Sequence, residues 1–321
     1  MKHSFKIVLC LLLSCFNGYT QIQWSNFKWG HDSINVNSQK AFVQRSAIFL
    51  PVSFDGDPRR YYLQLDLSSD ISMILYGTPA SIENKYVTSV KAGKDNPNRY
   101  YRVNHVLKGK MGEMEFSLDS TQYLLMKKKD DTAKDYHHPS IASAIIGTVG
   151  LSYFSKKILV LDFTHGQFLQ YDDTLKIPER FTKAKFYTSS HISNSRLIVP
   201  VEFMDTVFND FFYETGSSIF DLVVSKKIWR KLTGRTGDEK DNFTVTVDMW
   251  GDKLVARGAR PKMPIRVNNT YLTTSMVFYL PSDEDFKDTY GCNGMIGNSP
   301  FFGKVIVLDF IRNKFGMFPP F

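Results

Sequence analysis

The chain has 321 residues, of which 43% are hydrophobic and 22% are charged, and it carries a formal net charge of +8. This composition excludes an intrinsically disordered chain, and the length suffices for about two domains of ordinary size. The basic residues are scattered, and no base-stacking or groove-reading pattern accompanies them, so we expect a solvated basic surface and no nucleic-acid partner.

The N-terminal segment, residues 1–20, predicts an export signal. Basic residues precede a run of seven apolar residues, Ile7 to Leu13, which is far shorter than the roughly 20 residues that a membrane span needs. Cleavage after Thr20 would release an exported protein, either periplasmic or extracellular. Residues Leu12 to Cys15 also resemble a bacterial lipoprotein motif, in which Cys15 becomes a lipidated N-terminus that anchors the protein to a membrane.

Cysteine is rare in the part of the chain that follows this signal. Cys292 is the one cysteine that certainly belongs to the mature domain, so an intrachain disulfide is excluded and stability must come from the hydrophobic core. No histidine near it in sequence offers a catalytic partner. We therefore predict that Cys292 is a small buried residue.

The first half of the chain predicts short strands on both sides of an acidic turn. A strand over residues 47–54 leads into the Gly/Pro/Asp turn 55–58, which is typical of a hairpin. A second strand over 61–65 delivers Asp66 to the turn Leu67-Ser68-Ser69-Asp70. Another apolar run, Ile71 to Tyr76, leads away from it.

The second half shows the same pattern. A strand over 197–203 is followed by an apolar run that delivers Glu214 to the turn Thr215-Gly216-Ser217-Ser218. A second apolar run leads away, and an amphipathic helix is predicted around Ser225 to Leu232, because apolar side chains fall on one helical face there. A polar, basic connection over residues 172–195 joins the two halves.

Five landmarks recur in the same order in the two halves, at a nearly constant offset of 147 to 150 residues. The pairs are Pro51 and Pro200, Asp66 and Glu214, Gly147 and Gly297, Phe154 and Phe302, and Asp162 and Asp309. A repeat this long indicates two homologous lobes related by duplication. We place the N-terminal β lobe at residues 40–171 and the C-terminal β lobe at 196–321.

These motifs together resemble the pepsin-like aspartic peptidases. Glu214-Thr215-Gly216-Ser217-Ser218 is similar to the Asp-Thr-Gly-Ser-Ser turn of that family, and Ile145-Ile146-Gly147 and Met295-Ile296-Gly297 are similar to its second signature. The resemblance covers about residues 40–321. It implies an all-β, bilobal fold with a cleft between the lobes.

The resemblance also implies a reaction. In that family each lobe supplies one carboxyl group, and the two share a proton because neighbouring like charges cannot both ionise. One carboxylate takes a proton from a water molecule, and the other acid donates to the scissile carbonyl. Carried over by position, the pair is Asp66 and Glu214. An extended peptide would lie in the cleft of a monomer, and no metal or cofactor would be needed.

The residues of the two turns that would support this pair are Ser68, Ser69, Thr215, Gly216 and Ser217. Both turns nevertheless depart from the family pattern. Leu67 replaces a threonine that bonds across the lobes, and Ser68 replaces a glycine. Glu214 is one methylene longer than aspartate, and a misplacement of about 1 Å can cost roughly 10²-fold in rate.

Other features carry weaker predictions. The resemblance implies a flap over the cleft, for which the hairpin candidate is Tyr100 to Phe116, with Tyr100 or Tyr101 as its aromatic residue. Asp162 and Asp309 end apolar strands and are predicted to be structural turn acids. The alternatives to a peptidase are a peptide-binding protein without activity and an envelope-associated structural protein. Retention of an acid in both turns favours the peptidase, and the altered turns favour the alternatives.

Overall fold

The computed structural model describes residues 23–76, 87–89, 98–128, 144–237, 242–249, 252–274, 276–283 and 285–320. The predicted signal segment, with Cys15, lies outside these residues. Strands dominate the described part of the chain, where they form three sheets. One sheet belongs to each lobe, and the third joins the lobes.

The first-lobe sheet surrounds the strand that ends at Asp66. Along the described chain its strand order is Met114–Leu118, Leu107–Met111, Ile48–Phe54, Arg60–Asp66, Ile145–Gly150, Met73–Leu75, Tyr123–Lys128, Asn98–Val103 and Val87–Ser89, and Lys28–Trp29 pairs with Ile48–Phe54. Burial alternates along the strand to Asp66, so that its odd-numbered positions from Tyr61 to Leu65 are buried. This period of two predicts that Gln64 shares the other face with Asp66.

The second-lobe sheet surrounds the strand that leads to Glu214. Among the described residues its order is Thr270–Tyr271, Arg266–Val267, Arg196–Phe203, Thr206–Tyr213, Gly294–Ile296, Leu222–Val224, Val277–Tyr279, Asp252–Ala259, Phe243–Met249, Asp32–Val36 and Gln39–Val43, and His191–Ser193 pairs with Arg196–Phe203. The hairpin formed by the strands Asp32–Val36 and Gln39–Val43 thus extends the second-lobe sheet, although it precedes the first lobe in sequence.

The third sheet joins the ends of the two lobes. Its strand order is Ser25–Asn26, Gln167–Tyr171, Ile158–Asp162, Val305–Asp309, Lys314–Phe318 and Tyr187–Ser189. At its centre the two homologous strands pair in antiparallel register, with Val160 opposite Val307. Val160 and Val307 are equivalent residues of the repeat, so the two strands are related by a local two-fold axis that passes between this pair.

Helices are few and short in the described residues. The α-helices are Leu151–Phe154, Lys226–Thr233 and Phe286–Tyr290, and the 3₁₀-helices are Thr174–Lys176, Glu179–Phe181, Ala184–Phe186 and Ser299–Phe301. The predicted amphipathic helix is confirmed as Lys226–Thr233. Ser225 caps it by accepting a hydrogen bond from Ile228 N, and Gly234 ends it with a φ of 67°.

Both lobes repeat one strand arrangement around their acidic turns. In the first lobe, Ile145–Gly150 runs parallel to Arg60–Asp66 and antiparallel to Met73–Leu75. In the second lobe, Gly294–Ile296 has the same relation to Thr206–Tyr213 and Leu222–Val224. The predicted all-β, bilobal pepsin-like fold is therefore confirmed, together with the duplication on which it was based.

Close contacts with a neighbouring backbone explain why both signatures contain glycine at the same position. A Cβ added to Gly147 would lie 2.0 Å from Ile74 O, and one added to Gly297 would lie 2.3 Å from Phe220 O. No side chain fits at such distances, so the strand can pass directly behind the turn only if it carries glycine there.

Candidate functional site

Asp66 stands at the end of its strand, half-buried, where a tight turn supplies hydrogen-bond donors. Its Oδ1 accepts a hydrogen bond of 3.0 Å from Ser68 N and one of 2.6 Å from Ser68 Oγ. Leu67, between them, is buried in the core. Both of these donors belong to Ser68, two residues after Asp66 in the turn.

Glu214 occupies the equivalent place in the second lobe. Its backbone N–H donates to Ile296 O at 2.9 Å, which ties the turn to the strand behind it. Its Oε1 accepts a hydrogen bond of 2.8 Å from Gly216 N. The longer side chain of glutamate is therefore folded back onto its own turn.

Both acidic side chains lie close to Gly216. A Cβ built on this glycine would lie 2.8 Å from Glu214 Oε1 and 3.4 Å from Asp66 Cγ. The sum of those distances is an upper limit for the separation of Glu214 Oε1 from Asp66 Cγ. A side chain at position 216 would collide with the Glu214 carboxyl group, so glycine is needed at this position.

The environment of Glu214 favours its protonated form. Burial raises the pKa of Glu214, and the negative charge of Asp66 raises it further, to about 8. Hydrogen bonds from Gly216 N and the Ser68 hydroxyl, and the charge of Arg196, act in the opposite direction. At pH 7 the pair consequently holds a proton on Glu214, as expected for two carboxyl groups in one site.

Two hydrogen bonds connect the acidic turns across the lobes. Leu67 N donates to Thr215 Oγ1 at 2.9 Å, and Gln64 Nε2 donates to Gly216 O at 2.9 Å. Leucine carries no hydroxyl to accept a bond in return. Gln64 was not predicted from the sequence, although its position two residues before Asp66, on the same strand face, was an available signal.

A second group that was not predicted from the sequence lies behind the second turn. Asn298 is fully buried, and its Nδ2 donates to Thr215 O at 2.9 Å and to Ser218 Oγ at 3.0 Å. Tyr213 donates its hydroxyl to Asn298 Oδ1 at 2.8 Å. These contacts fix the second turn on the side of the strand that passes behind it. In the sequence, the only signal for Asn298 was a polar residue directly after Gly297.

The backbone of the two turns is held in equivalent ways. Leu151 N donates to Ser69 O at 2.7 Å in the first lobe, and Asn298 N donates to Ser217 O at 3.2 Å in the second. Ser69 and Ser217 are both half-buried. These backbone contacts agree with the prediction that Ser69 and Ser217 support the turns. A role of the two serines in a reaction stays a prediction.

The flap candidates lie within the first-lobe sheet. Tyr100 is opposite Met126, and Tyr101 is opposite Leu125 and packs against the main hydrophobic core. The hairpin in this region is formed by the next two strands, whose turn contains Gly112 at a φ of 58°. The flap role of the two tyrosines stays a prediction.

Three residues outside the site behave as the sequence predicts. Asp162 is buried and its Oδ1 accepts hydrogen bonds from Thr164 N and His165 N, and Asp309 accepts the equivalent pair from Ile311 N and Arg312 N. These acids cap their turns. Cys292 is buried, and burial raises the pKa of its thiol to about 11.

The described residues contain neither a cluster of metal-ligating side chains nor a helix that could span a membrane. No three histidine, cysteine, aspartate or glutamate side chains in this part of the chain lie together as metal ligands would. None of the helices described above has the length and apolar character of a membrane span.

Comparison with known proteins finds similarity to solved structures. No protein-family model and no curated protein matches the sequence. An aspartic proteinase from Irpex lacteus is 11% identical with a TM-score of 0.48, covering 91% of this chain and 98% of that chain. The basic 7S globulin from soybean is 8% identical with a TM-score of 0.44, covering 93% and 97%. Conglutin gamma, a basic 7S globulin from lupine seeds, is 10% identical with a TM-score of 0.44, covering 93% and 95%. Identities of this size do not identify residues that catalyse or bind.

Proposed function

We propose that the chain is an aspartic-type endopeptidase that hydrolyses peptide bonds with Asp66 and Glu214. One observation carries the proposal. Two acids from homologous turns both lie close to Gly216, and burial and the charge of Asp66 raise the pKa of Glu214 to about 8. A charged carboxylate beside a protonated one is the arrangement that general base and general acid catalysis require together.

In this proposal each acid has a different role. Within the described chain, both hydrogen bonds that Asp66 accepts end on Oδ1, so we assign Oδ2 to the attacking water. Asp66 takes a proton from this water as its oxygen adds to the scissile carbonyl carbon, and Glu214 gives its proton to the carbonyl oxygen. When the C–N bond breaks, Asp66 protonates the leaving amine and Glu214 recovers a proton from the hydroxyl.

The altered turns are compatible with this reaction in our proposal. Gly216 N holds the Glu214 carboxyl group, which compensates for the additional methylene, and Ser68 supplies the donors that stabilise charged Asp66. The substrate would be an extended peptide between the lobes of a monomer. Such a peptide pairs through its backbone, as a strand does.

The test is hydrolysis of a mixture of random decapeptides from pH 4 to pH 9, with products identified by mass spectrometry. We expect cleavage by the wild type, with kcat/KM falling as the pH rises through about 8, where Glu214 loses its proton. Asp66→Asn and Glu214→Gln should each reduce kcat by roughly 10²- to 10⁴-fold. Cleavage that survives both substitutions would disprove the assignment.

The variant Glu214→Asp distinguishes an active site that works with glutamate from one that has lost its activity because the glutamate is too long. Because Gly216 N already holds the longer side chain, shortening it by about 1 Å should lower kcat roughly 10²-fold. An inactive wild type that gains activity in Glu214→Asp would show that the acid is misplaced in the natural protein.

A second candidate function is peptide binding without cleavage. The observation in its favour is Leu67. Its backbone N–H donates to Thr215 Oγ1, but its buried apolar side chain has no hydroxyl that could make the matching hydrogen bond to the second lobe. In that case the wild type would bind members of the decapeptide mixture, as measured by calorimetry, and would leave them intact at every pH.

We further propose that the protein is exported. The support is the sequence alone, because residues 1–20 lie outside the described part of the chain. Mass spectrometry of the mature protein from its natural host would decide between cleavage after Thr20 and lipidation at Cys15. An N-terminus that still carries Met1 would contradict both routes.

A further inference from the structure

Arg196 begins the strand that runs antiparallel to the one leading to Glu214. In the register of these two strands Ile198 lies opposite Phe212. The same register, continued by two residues, brings Arg196 opposite Glu214. Residues opposite each other in a sheet point to the same face and have Cβ atoms about 4.5–5.5 Å apart. An arginine therefore stands beside the acid of the second lobe.

The residue before Arg196 contacts the first lobe. Ser195 donates its hydroxyl to Asp70 Oδ2 at 3.3 Å, and Asp70 belongs to the turn that follows Asp66. Arg196 thus lies where the two lobes meet, close to both acidic turns. An extended peptide rises about 3.3 Å per residue, so its residues within about three positions of the scissile bond come within reach of this side chain.

The guanidinium group of Arg196 is held in place by neutral groups. Its central carbon lies 4.9 Å from the ring centre of Phe212 and 5.6 Å from that of Tyr290, and its Nη1 donates to Tyr290 O at 2.9 Å. Within the described chain the half-buried Arg196 makes no ion pair with a carboxylate. A guanidinium group has five N–H donors, so most of them are left for a ligand.

The acids around Arg196 have other partners or carry a proton. Asp210 accepts a hydrogen bond of 2.6 Å from Asn293 Nδ2, and Asp283 accepts one from a threonine hydroxyl. Glu214, whose pKa is raised to about 8, is protonated at pH 7. A partly buried charge is stabilised by an opposite charge, so an incoming carboxylate would find a cation with no other anion to pair with.

We propose that Arg196 is a specificity-determining residue that binds a carboxylate of the peptide substrate, a role that rests on the proposed peptidase function. The planar fork of a guanidinium group fits the two oxygens of a carboxylate through two parallel hydrogen bonds. For an endopeptidase the source is an aspartate or glutamate side chain within about three residues of the scissile bond. The C-terminal carboxylate of a peptide has the same chemistry, and the test distinguishes the two sources.

The test uses three decapeptide pools, randomised over residues other than aspartate and glutamate. The first has glutamate at its fifth position and an amidated C-terminus. The second has glutamine there, and the third has glutamine and a free C-terminal carboxylate. At pH 6 the wild type should cleave the first pool with a kcat/KM about 10- to 10²-fold above that of the second. A preference for the third pool instead would assign the carboxylate to the terminus, and equal cleavage of all three would overturn the proposal.

Variants of Arg196 show whether this residue causes the preference. Arg196→Gln should cleave the glutamate and glutamine pools equally, at the wild-type rate for glutamine within several-fold. Arg196→Lys keeps the charge without the fork and should retain part of the preference. Arg180→Gln, which removes an exposed arginine over the rings of Trp24 and Phe181, is the matched control and should keep the full preference. If Arg196→Gln slows both pools equally, the arginine only supports the structure of the site, and the proposal is overturned.

A binding measurement separates this inference from peptidase activity. The three pools are passed at 4 °C over immobilised wild-type protein, and over Asp66→Asn protein if the wild type cleaves, and the retained peptides are quantified by mass spectrometry. We expect the glutamate pool to be enriched over the glutamine pool, and Arg196→Gln to abolish the enrichment. Enrichment by a wild type that cleaves nothing would support the carboxylate site and refute the peptidase proposal. Equal retention of the pools, or retention of none, would overturn the role of Arg196, whereas cleavage would still support the peptidase.

Discussion

At the scale of single residues, the notable feature is an acid that keeps its proton at neutral pH. Glu214 has an ordinary pKa of 4.5 that rises to about 8 in the folded protein, mainly through burial and then through the charge of Asp66. Arg196 opposes this rise, and the pKa of the adjacent, fully buried Tyr213 is raised well above its ordinary value. Charged Glu214 is thus disfavoured by the fold itself.

This pKa predicts how stability depends on pH. The folded state binds the Glu214 proton more tightly than the unfolded chain does, so the contribution to stability is full below pH 4.5 and is lost as the pH rises through about 8. The thermal midpoint should fall by several degrees between pH 5 and pH 9, since 1 kcal/mol corresponds to about 2–4 °C in a domain of 150–250 residues.

Glu214→Gln isolates the contribution of this group, because glutamine is neutral at every pH. We expect the difference in thermal midpoint between wild type and variant to change steadily across this pH window, as measured by calorimetry. Parallel pH profiles for the two proteins would contradict the elevated pKa of Glu214.

At the scale of elements, the position of one turn relative to the other depends on two hydrogen bonds between the lobes. Thr215 is fully buried and accepts from Leu67 N, and Gln64 reaches Gly216 O. Each bond joins a strand end of one lobe to the turn of the other. Their loss should therefore affect both stability and the placement of the acids.

Thr215→Val tests the first of these contacts. Valine has the shape of threonine, but it leaves the buried Leu67 N–H without its acceptor, at a cost of about 1–3 kcal/mol. Urea unfolding should show this loss, and Thr188→Val, in a half-buried strand position, should change stability by less than about 0.5 kcal/mol. If the two substitutions lowered the free energy of unfolding equally, the cross-lobe hydrogen bond would not contribute to stability.

Adding Gln64→Leu completes a double-mutant cycle. Because both contacts end on neighbouring residues of one turn, we expect the two losses to be non-additive by at least about 0.5 kcal/mol. Strict additivity would show that the turns are held by other contacts.

How far the sequence predicts this molecule differs between the fold and the site. The repeat, the two glycines behind the turns and the acids at strand ends were sufficient to predict the two-lobed fold, and the catalytic pairing of Asp66 with Glu214 stays a prediction. Gln64 could not be recognised, because its partner is 152 residues away and depends on how the lobes dock. Ser68 was noticed, but only the structure shows that its hydroxyl donates to Asp66 Oδ1.

At the scale of the whole molecule, the sheet between the lobes holds the two halves together. Val160 and Val307 are fully buried and lie opposite each other at its centre. The flanking turns are capped by the equivalent acids Asp162 and Asp309. The sheet is therefore symmetric in sequence and in structure.

This symmetry predicts equal effects of equivalent substitutions. Val160→Ala and Val307→Ala remove the same methyl groups from the same environment, so each should cost roughly 1.5–3 kcal/mol, with values that agree within about 1 kcal/mol. Guanidinium unfolding measures both. A large loss from one and none from the other would mean that the lobes contribute unequally to this sheet.

The pairing of Ile158–Asp162 with Val305–Asp309 has a consequence for shorter chains. A polypeptide that ended after the first lobe would expose the edge that now pairs with its own homologue. A second copy of the same polypeptide has the strand that fits this edge, with Val160 opposite Val160 about a true two-fold axis. The duplicated chain can thus be described as a covalently linked pair of subunits, in which linkage allowed the two acids to become different: an aspartate on one side and a glutamate on the other.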